Sequence, residues 1–507
     1  MAFEPNFEKV VASVRKNLGT VQSQVECRLP IEGEVKRIVC SNAKANIANV
    51  ETSGKDIVYS GFVNFQIIYF GVNNEPVGVD YTAEFKEKYN SGMELNNVVP
   101  VVGVSVVDVN TMVNGDIKVV AILETTIDAI VNNSTNILTG INSDTYFTQK
   151  ELLSYSNYLA TASSKFEAIN DIEIKDSVSK ILSVCPSVYI EKVVPQDRYL
   201  MVNGGVYFDI CYMTDNNMIR SHQASFEFNQ EVAQDDIDEG SIIQSELQIL
   251  YNDIKVTTSI DTDNAIVNVN LPLIFMGYVF KSNSVEVVSD LFSTSHYSNI
   301  SVESLSTMQS FESVEFDEKL SGNVVIHEND AFIDEILGNC CGNVVVANSA
   351  IQDGKLVVEG VASTTVLYLN KEMKSIHSVE VEMPFSASTK VDLIDGLNTD
   401  VQIALTQIST RARRGKEIEV TATLELYCDI YNNLDSAVIV SVKEEDEIPE
   451  SECAMSFYIA RQGDTLWEIA KELKVSTNVL LAQNPTLSEP IQAGTRVVVY
   501  RQRQVEF

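Results

Sequence analysis

The sequence predicts a mainly β protein, with three tandem β-rich modules followed by a small C-terminal βααβ domain. Two observations support this fold class. A pattern of strand-forming residues recurs three times with a period of about 143 to 156 residues, and the final fifty or so residues differ from the rest in charge and in pattern. A period of this length indicates tandem domains, because solenoid repeats are several times shorter.

The recurring segment begins with Gly, continues through seven residues and ends with Tyr. Its copies are Gly61–Tyr69, Gly204–Tyr212 and Gly360–Tyr368. Each is rich in β-branched and aromatic residues, which predicts a strand. An apolar pair precedes each Gly by 23, 23 and 24 residues; the pairs are Ile38-Val39, Ile181-Leu182 and Ile336-Leu337.

A strand entered through a turn follows each segment. The turns are predicted at Asn114-Gly115, Asp263-Asn264 and Arg414-Gly415, because such residues tolerate positive φ. Two other stretches, Phe7–Leu18 and Thr148–Ala160, have apolar residues at helical spacing and are predicted to be helices beside their sheets.

These patterns predict five segments along the chain. We place the three β-rich modules at residues 1–150, 151–300 and 301–442, an acidic linker at 443–455 and the C-terminal domain at 456–502. The run Lys443–Glu452 is charged and contains a proline, which is typical of a solvated linker. We therefore expect the C-terminal domain to move semi-independently.

Charge separates the two parts of the chain. The whole sequence has 36 Lys and Arg against 71 Asp and Glu, a formal net charge of −35. Residues 456–507 contain six basic and five acidic residues, a net of +1, so residues 1–455 carry −36. An acidic surface disfavours binding to nucleic acid or anionic lipid and favours a partner with a basic face.

The C-terminal pattern is strand, helix, helix, strand. Phe457–Ala460 and Arg496–Tyr500 are the predicted strands. Thr465 and Glu468 form a predicted capping box at the start of the first helix. Ser476 is the predicted cap of the second helix, which ends at Asn484-Pro485.

Three stretches of this domain, Tyr458–Ala470, Leu480–Pro485 and Ile491–Val499, resemble a LysM domain almost from end to end. Three β-rich modules followed by a LysM domain resemble the SPOCS-domain proteins of endospore-forming bacteria, which are spore coat morphogenetic proteins. The resemblance implies SPOCS-like modules and a non-catalytic scaffold that uses no cofactor or metal.

LysM domains usually bind N-acetylglucosamine-containing glycans in a groove between two loops. Mapped onto this sequence, the groove consists of Gly463, Asp464, Thr465, Leu466, Asn484, Pro485, Thr486, Leu487 and Ile491. In the SPOCS family the LysM domain instead contacts stage IV sporulation protein A, the ATPase of the coat basement layer. The resemblance thus implies that partner, other coat proteins or a second copy, with peptidoglycan as the alternative ligand.

The expected compartment favours the protein partner. Residues Met1–Asn6 lack the basic start and apolar core of a signal peptide, and no apolar run reaches the ~18 residues needed to span a bilayer. We expect a protein of the mother-cell cytosol, located at the forespore surface. A glycan-binding LysM domain would normally be secreted to reach the cell wall.

Within the groove, Leu466 and Ile491 are the predicted exposed apolar contacts, and Trp467 is predicted to lie in the core.

The sequence offers little for catalysis. The four histidines His222, His296, His327 and His377 have no metal-ligand spacing. No phosphate-binding loop or nucleophile elbow occurs in the sequence, so an unrecognised hydrolase is the disfavoured alternative.

Two further groups allow more than one interpretation. The vicinal pair Cys340-Cys341 could bind a soft metal or sense redox state. However, Cys40, Cys185 and Cys340 lie 21, 19 and 20 residues before their repeat glycines, which favours a buried apolar position with unpaired thiols.

The basic run Arg411–Lys416 is predicted to be a solvated hairpin loop, with contact to nucleic acid or to an acidic patch as alternatives.

Overall fold

The structure is a computed structural model that describes residues 3–29, 31, 33–261, 264–326, 332–370, 375–449 and 454–501. Three features considered in the sequence lie outside the described residues: Asp263 of one predicted turn, His327, and residues 450–453 of the predicted linker. No helix in the described ranges is long and apolar enough to cross a membrane.

The first module consists of two three-stranded antiparallel sheets. Its strands are β1 (Glu4–Leu29), β2 (Val35–Ser53), β3 (Asp56–Gly71), β4 (Pro76–Asn90), β5 (Val98–Asn114) and β6 (Asp116–Asn142). One sheet has the order β1-β6-β5 and the other β2-β3-β4. The first and last strands of the module therefore pair with each other.

The second module repeats this arrangement, with its fifth strand divided by a short 3₁₀ helix at Tyr251–Asp253. Its strands are β7 (Tyr146–Ile174), β8 (Lys180–Gln196), β9 (Tyr199–Met213), β10 (Ile219–Ala233), β11 (Ser241–Ile249), β12 (Lys255–Asp261) and β13 (Asn264–Ser293). The sheet β10-β9-β8 corresponds to β2-β3-β4, and β13 pairs with β7, β11 and β12.

The third module has the same six-strand plan as the first. Its strands are β14 (His296–Val325), β15 (Ile333–Gln352), β16 (Lys355–Asn370), β17 (Ile376–Lys390), β18 (Asn398–Arg413) and β19 (Glu417–Glu447). The sheets are β14-β19-β18 and β15-β16-β17. Three modules with one strand order confirm the predicted mainly β fold class.

In every module the repeated glycine lies in the central strand of one sheet: β2-β3-β4 in module 1, β10-β9-β8 in module 2 and β15-β16-β17 in module 3. We call these the smaller sheets, because their strands are shorter than the long strands that pair in the other sheet of each module. A Cβ atom at Gly61, Gly204 or Gly360 would clash with a backbone carbonyl oxygen of the neighbouring strand. An aromatic ring from the other neighbour covers each glycine; these rings are Phe85, Phe228 and Phe385. The sequence repeat therefore records a close backbone approach that only glycine permits.

Both helix predictions outside the C-terminal domain are wrong, because Phe7–Leu18 lies within β1 and Thr148–Ala160 within β7. The apolar residues of the first stretch also satisfy a period of two: Val10, Ala12 and Val14 are buried. Over this stretch β1 pairs with residues 128–138 of β6, which are more than a hundred positions away in the sequence. Distant backbone pairing therefore overrides the local helical spacing.

The strands also run across the predicted module limits. β7 begins at Tyr146, before the limit at 150, and β14 begins at His296, before the limit at 300. β19 continues to Glu447, so the first residues of the predicted acidic linker form a strand. Ile448 remains attached to the body, because its N–H donates to Ser295 O at 2.7 Å.

The three smaller sheets meet in one apolar cluster to which every module contributes. Its buried members are Val39, Cys40, Ile68, Phe70, Leu182, Cys211, Ile219, Leu337, Cys340 and Leu367. We call this set the junction cluster. Because its members come from three modules, no single module can bury these side chains alone.

A buried arginine connects the three modules at a second place. The Arg15 guanidinium of module 1 lies 2.9 Å from Asp128 of its own module and 2.7 Å from Asp400 of module 3. It also donates to Gln244 Oε1 of module 2 at 3.1 Å and lies over the ring of Tyr431. Only 5% of Arg15 is exposed, so these contacts replace its hydration shell.

A disulfide links modules 2 and 3. Cys185 of β8 and Cys341 of β15 are bonded, with a Cα–Cα distance of 5.4 Å and a sequence separation of 156. The expectation of unpaired thiols is therefore wrong for this pair. The sequence does not indicate the bond, because its two strands approach only when the modules pack.

The strand register also corrects the proposed equivalence of three cysteines. Cys185 and Cys340 pair with the residues five positions after their repeat glycines, whereas Cys40 pairs with Ile68, seven positions after Gly61. Cys340 is buried in the junction cluster, as the apolar interpretation requires. The side chain of Cys341 is instead bonded to Cys185, outside the junction cluster.

A buried carboxyl group joins modules 2 and 3. Asp429 accepts hydrogen bonds from the Ser245 N–H at 2.9 Å and from the Ser313 hydroxyl at 2.5 Å. Burial raises the pKa of Asp429 to about 7, although both hydrogen bonds act in the opposite direction. The folded protein therefore holds a proton on this group at pH values where an unfolded aspartate has lost it.

We predict that Arg15→Ala destabilises the protein by roughly 3 kcal/mol or more, because it leaves the buried Asp128 carboxylate without a counter-charge and removes the ion pair with the partly exposed Asp400. Chemical denaturation would measure the loss. The exposed Arg28 provides a matched control, since Arg28→Ala should change the free energy of unfolding by less than about 0.5 kcal/mol. Equal effects of the two substitutions would contradict the connecting role of Arg15.

We predict that Asp429→Asn removes part of the pH dependence of stability. Between pH ~4 and ~7 the folded state binds the extra proton, so the contribution of Asp429 to stability falls as pH rises through this window. The melting temperature of the wild type relative to the variant should therefore decrease from pH 5 to pH 8. The control is Asp395→Asn at an exposed position, whose melting temperature should follow that of the wild type at every pH. A difference in melting temperature between the wild type and Asp429→Asn that stays constant from pH 5 to pH 8 would contradict the prediction.

Candidate functional site in the C-terminal domain

The C-terminal domain has the predicted βααβ order. Its elements are β20 (Met455–Ile459), α1 (Leu466–Leu473), α2 (Thr477–Gln483) and β21 (Arg496–Tyr500), and β20 pairs antiparallel with β21. The core of this domain contains Ala460, Ile469, Ala470, Leu473, Leu480, Leu487, Ile491, Val497 and Val499. The two loops of the predicted groove precede α1 and follow α2.

The first loop is shaped by hydrogen bonds within the chain. The Thr465 hydroxyl accepts from the Glu468 N–H at 3.2 Å, and Glu468 Oε2 accepts from the Thr465 N–H at 2.9 Å, which completes the predicted capping box. Asp464 accepts from the Arg461 N–H at 2.7 Å and from the Tyr458 hydroxyl at 2.8 Å. Gly463 has φ of +93° and forms the turn. Of the predicted groove residues in this loop, Gly463 and Thr465 are exposed, whereas Asp464 and Leu466 are partly buried.

In the second loop, one predicted groove residue is already engaged in hydrogen bonds and two others are exposed. The Asn484 side chain donates to Leu480 O and Val498 O and accepts from the Val498 N–H, all at 2.8–2.9 Å. Asn484 therefore attaches α2 to β21 and has little capacity left for a ligand. Pro485 and Thr486 are exposed.

The predicted apolar contacts are less available than the sequence suggests. Ile491 and Leu487 are each only 9% exposed and belong to the core, so the prediction that Ile491 is an exposed contact is wrong. Leu466 is half-buried and packs against the same core. The small domain needs these apolar residues to form its interior, because few others are present.

One residue that sequence reasoning missed joins the two loops. Glu489 Oε1 accepts a hydrogen bond from the Leu466 N–H at 2.8 Å. This N–H belongs to the first turn of α1, where backbone donors have no helical partner. The structure therefore brings the two predicted loops together through a side chain that the resemblance does not identify.

An exposed apolar surface lies on the outer face of the two-stranded sheet. Met455, Phe457 and Ile459 alternate along β20 and are 42%, 58% and 64% exposed. Tyr500, opposite Met455 on β21, is 58% exposed, and Arg496 is opposite Ile459. We call these five residues the sheet face. Alternation of period two in Met455–Ile459 is the sequence signal that could have identified it.

Another surface of the domain, formed by α1, packs against module 2. The Trp467 indole N–H donates to Asp290 Oδ2 at 2.7 Å, and its ring meets Phe292 edge to face at 5.0 Å. Lys471 Nζ lies 2.6 Å from Asp290 Oδ1, and Phe292 stacks on Phe147 at 5.4 Å. Trp467 is thus part of an interface as well as of the domain core. These contacts contradict the expectation of a semi-independent domain.

The charge of Asp290 depends on this interface. Burial by itself would raise the pKa of Asp290, but the hydrogen bonds from Lys471 and Trp467 outweigh it and lower the pKa below its ordinary value. A carboxyl with a lowered pKa stabilises the folded state at neutral pH, and this stabilisation is lost as pH falls through that pKa. The interface is therefore electrostatic as well as aromatic.

The basic loop pairs two of its arginines within its own hairpin and contacts the segment before β15. Arg411 Nε and Arg413 Nε lie 2.6 and 2.5 Å from Glu419 Oε2, and Lys416 lies over the ring of Phe332. Arg414 and Gly415 have positive φ, as the predicted turn requires. The run is exposed, which agrees with a solvated hairpin loop. Within the described ranges, no group of three or more His, Cys, Asp or Glu is placed to hold a metal ion.

Comparison with known protein families identifies two parts of the chain. The model described as the SipL SPOCS domain matches residues 333–413, which are β15–β18 of the third module. The LysM domain model matches residues 458–499. No curated protein and no solved structure matches the chain.

We predict that Asp290→Ala weakens the attachment of the LysM domain to module 2, because it removes the acceptor of Trp467 and the counter-charge of Lys471. Trp467 is the only Trp, so its fluorescence emission reports on this contact and should shift to longer wavelength. The control is Asp253→Ala, which breaks the exposed ion pair with Lys165 elsewhere on module 2. Unchanged emission in Asp290→Ala would contradict the attachment.

Proposed function

We propose that this SPOCS plus LysM protein, which resembles SipL, is a non-catalytic scaffold that binds a coat protein through its LysM domain during sporulation. The two matched domains support a role in sporulation, and such domains are typical of non-catalytic proteins. The three modules form a body from which the LysM domain projects its sheet face. The proposed mechanism is attachment, with no bond made or broken.

The observation that carries this proposal is the exposed sheet face. Four large apolar side chains lie on two adjacent strands, where they are exposed together. Contiguous apolar surface of this kind is typical of protein interfaces. By the resemblance to the SPOCS family, we propose stage IV sporulation protein A as the partner.

The charge around the sheet face favours a particular partner surface. Arg496 lies within the sheet face and Arg501 follows the last strand, whereas residues 1–455 carry a net charge of −36. A partner that offers apolar side chains beside acidic groups would match the LysM domain and be repelled by the body. The proposed contact is therefore confined to the small domain.

Peptidoglycan is the second candidate ligand, and the junction of the two loops favours it. Glu489 joins the loops, and Gly463, Thr465, Pro485 and Thr486 remain exposed beside them. A glycan could lie across this surface and form hydrogen bonds with the exposed backbone. The groove and the sheet face use different residues, so the two functions can be separated by substitution.

We also propose that the protein acts in the mother-cell cytosol, at the forespore surface. The structure holds Cys185 and Cys341 as a disulfide, and disulfides are rare in that reducing compartment, so the proposed location requires that this pair be reduced there and oxidised only later. Gln66 Oε1 lies 3.1 Å from Cys185 Sγ and 3.3 Å from Cys341 Sγ and can accept from either thiol. The bond would then form when the protein meets an oxidant.

We predict that Phe457→Asp with Ile459→Asp reduces capture of stage IV sporulation protein A by the full-length protein at least tenfold, because charges are placed in an apolar contact. The measurement is the amount of the ATPase that each variant captures from a lysate of sporulating cells, with the captured protein identified as stage IV sporulation protein A. Val479→Asp is the matched control, since Val479 is exposed on α2 outside the sheet face, and should bind as the wild type does.

Sedimentation with insoluble peptidoglycan tests the second candidate in parallel. Retention that is abolished by Pro485→Asp with Thr486→Asp, without any capture of the ATPase by the wild type, would replace the proposed function with glycan binding. Capture of the ATPase that is equal in the wild type and in the sheet-face variant would show that the partner uses another surface.

A further inference from the structure

A cavity of about 280 Å³ lies where the three modules meet. Two strands from every module line it: β2 and β5 of module 1, β8 and β11 of module 2, and β15 and β18 of module 3. Its volume is near the lower end of the range for small-molecule sites. A narrow extension reaches Cys185 and Asp209. The cavity exists only in the assembled chain, because no module encloses it alone.

A cation without a carboxylate partner lies in the cavity wall. Lys44 Nζ donates to Gly342 O at 3.0 Å and to Asn343 Oδ1 at 3.2 Å, both neutral acceptors of module 3. Burial lowers the pKa of Lys44 to about 8, so the amine is still mostly protonated at neutral pH. The ammonium has a third proton to donate. In the part of the chain that the structure describes, Lys44 forms no ion pair.

Two buried oxygens without hydrogen-bond partners lie on the β11 side of the cavity. Glu246 Oε2 and Gln248 Oε1 are buried and have no hydrogen-bond partner among the described residues. Burial raises the pKa of Glu246 to about 7, so this carboxyl is largely protonated below neutral pH and then does not repel a bound carboxylate. Buried polar atoms are nearly always satisfied by protein, water or a ligand. Both polar atoms of the Gln402 side chain, by contrast, have partners, because Gln402 donates to Ser245 O and accepts from the Leu247 N–H. It fixes β11 against module 3.

We propose that this cavity binds a small organic carboxylate that also carries a hydroxyl or amino group. The carboxylate would accept from the Lys44 ammonium and supply its missing counter-charge. The hydroxyl or amino group would donate to Gln248 Oε1, which can only accept a hydrogen bond. A simple inorganic anion fits less well, because a fully ionised anion brings no donor for this oxygen.

Isothermal titration of the full-length protein with three small probes tests the proposal. Glycolate has both features, acetate lacks the donor, and glycolamide lacks the charge. We expect saturable binding of glycolate, at least tenfold weaker binding of acetate and no binding of glycolamide. Absence of saturable glycolate binding, or equal affinity for all three probes, would overturn the proposal and leave a water-filled cavity.

Substitutions assign the binding to the cavity. Lys44→Met should weaken glycolate at least tenfold, whereas the exposed Lys55→Met should have no effect. Gln248→Leu keeps the ammonium, so it should weaken glycolate and leave acetate unchanged. Melting temperature and Trp467 emission would establish that each variant is folded. If Lys44→Met fails to fold, Gln248→Leu decides, and glycolate affinity equal to that of the wild type overturns the proposal.

Discussion

Burial of each module against the other two is the constraint on which the rest of the structure depends. The junction cluster removes apolar side chains of all three smaller sheets from water, and Arg15 replaces its hydration with groups from every module. Hydrophobic burial is non-directional, whereas a buried guanidinium requires its partners in fixed positions. The apolar contacts therefore hold the modules together, and the polar contacts select one arrangement.

This arrangement determines what the LysM domain can offer to a partner. Its Trp467 side packs on Asp290 and Phe292 at the end of the long antiparallel pair formed by β7 and β13. The sheet face is on strands that module 2 does not cover, so it remains exposed. A domain held in this way presents its apolar surface in a fixed direction, which reduces the entropy lost when a partner binds.

The three modules share one backbone plan but have diverged where they meet. Lys44, Ser187 and Asn343 each lie 17 residues before their repeat glycine and pair with equivalent positions of the central strand. One of them is a cation, and the other two are neutral. Equivalent backbone positions therefore carry different chemistry, which a chain of three fused modules permits and a trimer of identical chains does not. The polar cavity results from this divergence.

The sequence by itself determined the β-rich class, the triple repeat and the βααβ domain, because each depends on local features. The strand-forming residues after each repeat glycine indicate the β modules, and the capping box at Thr465 indicates the first helix of the small domain. Only the tertiary structure decided that Phe7–Leu18 is a strand, that Cys185 bonds Cys341 and that Ile491 is buried. Each of these depends on a partner distant in the chain. Local pattern limits what a segment can form, and distant contacts with their burial energy decide between the remaining possibilities.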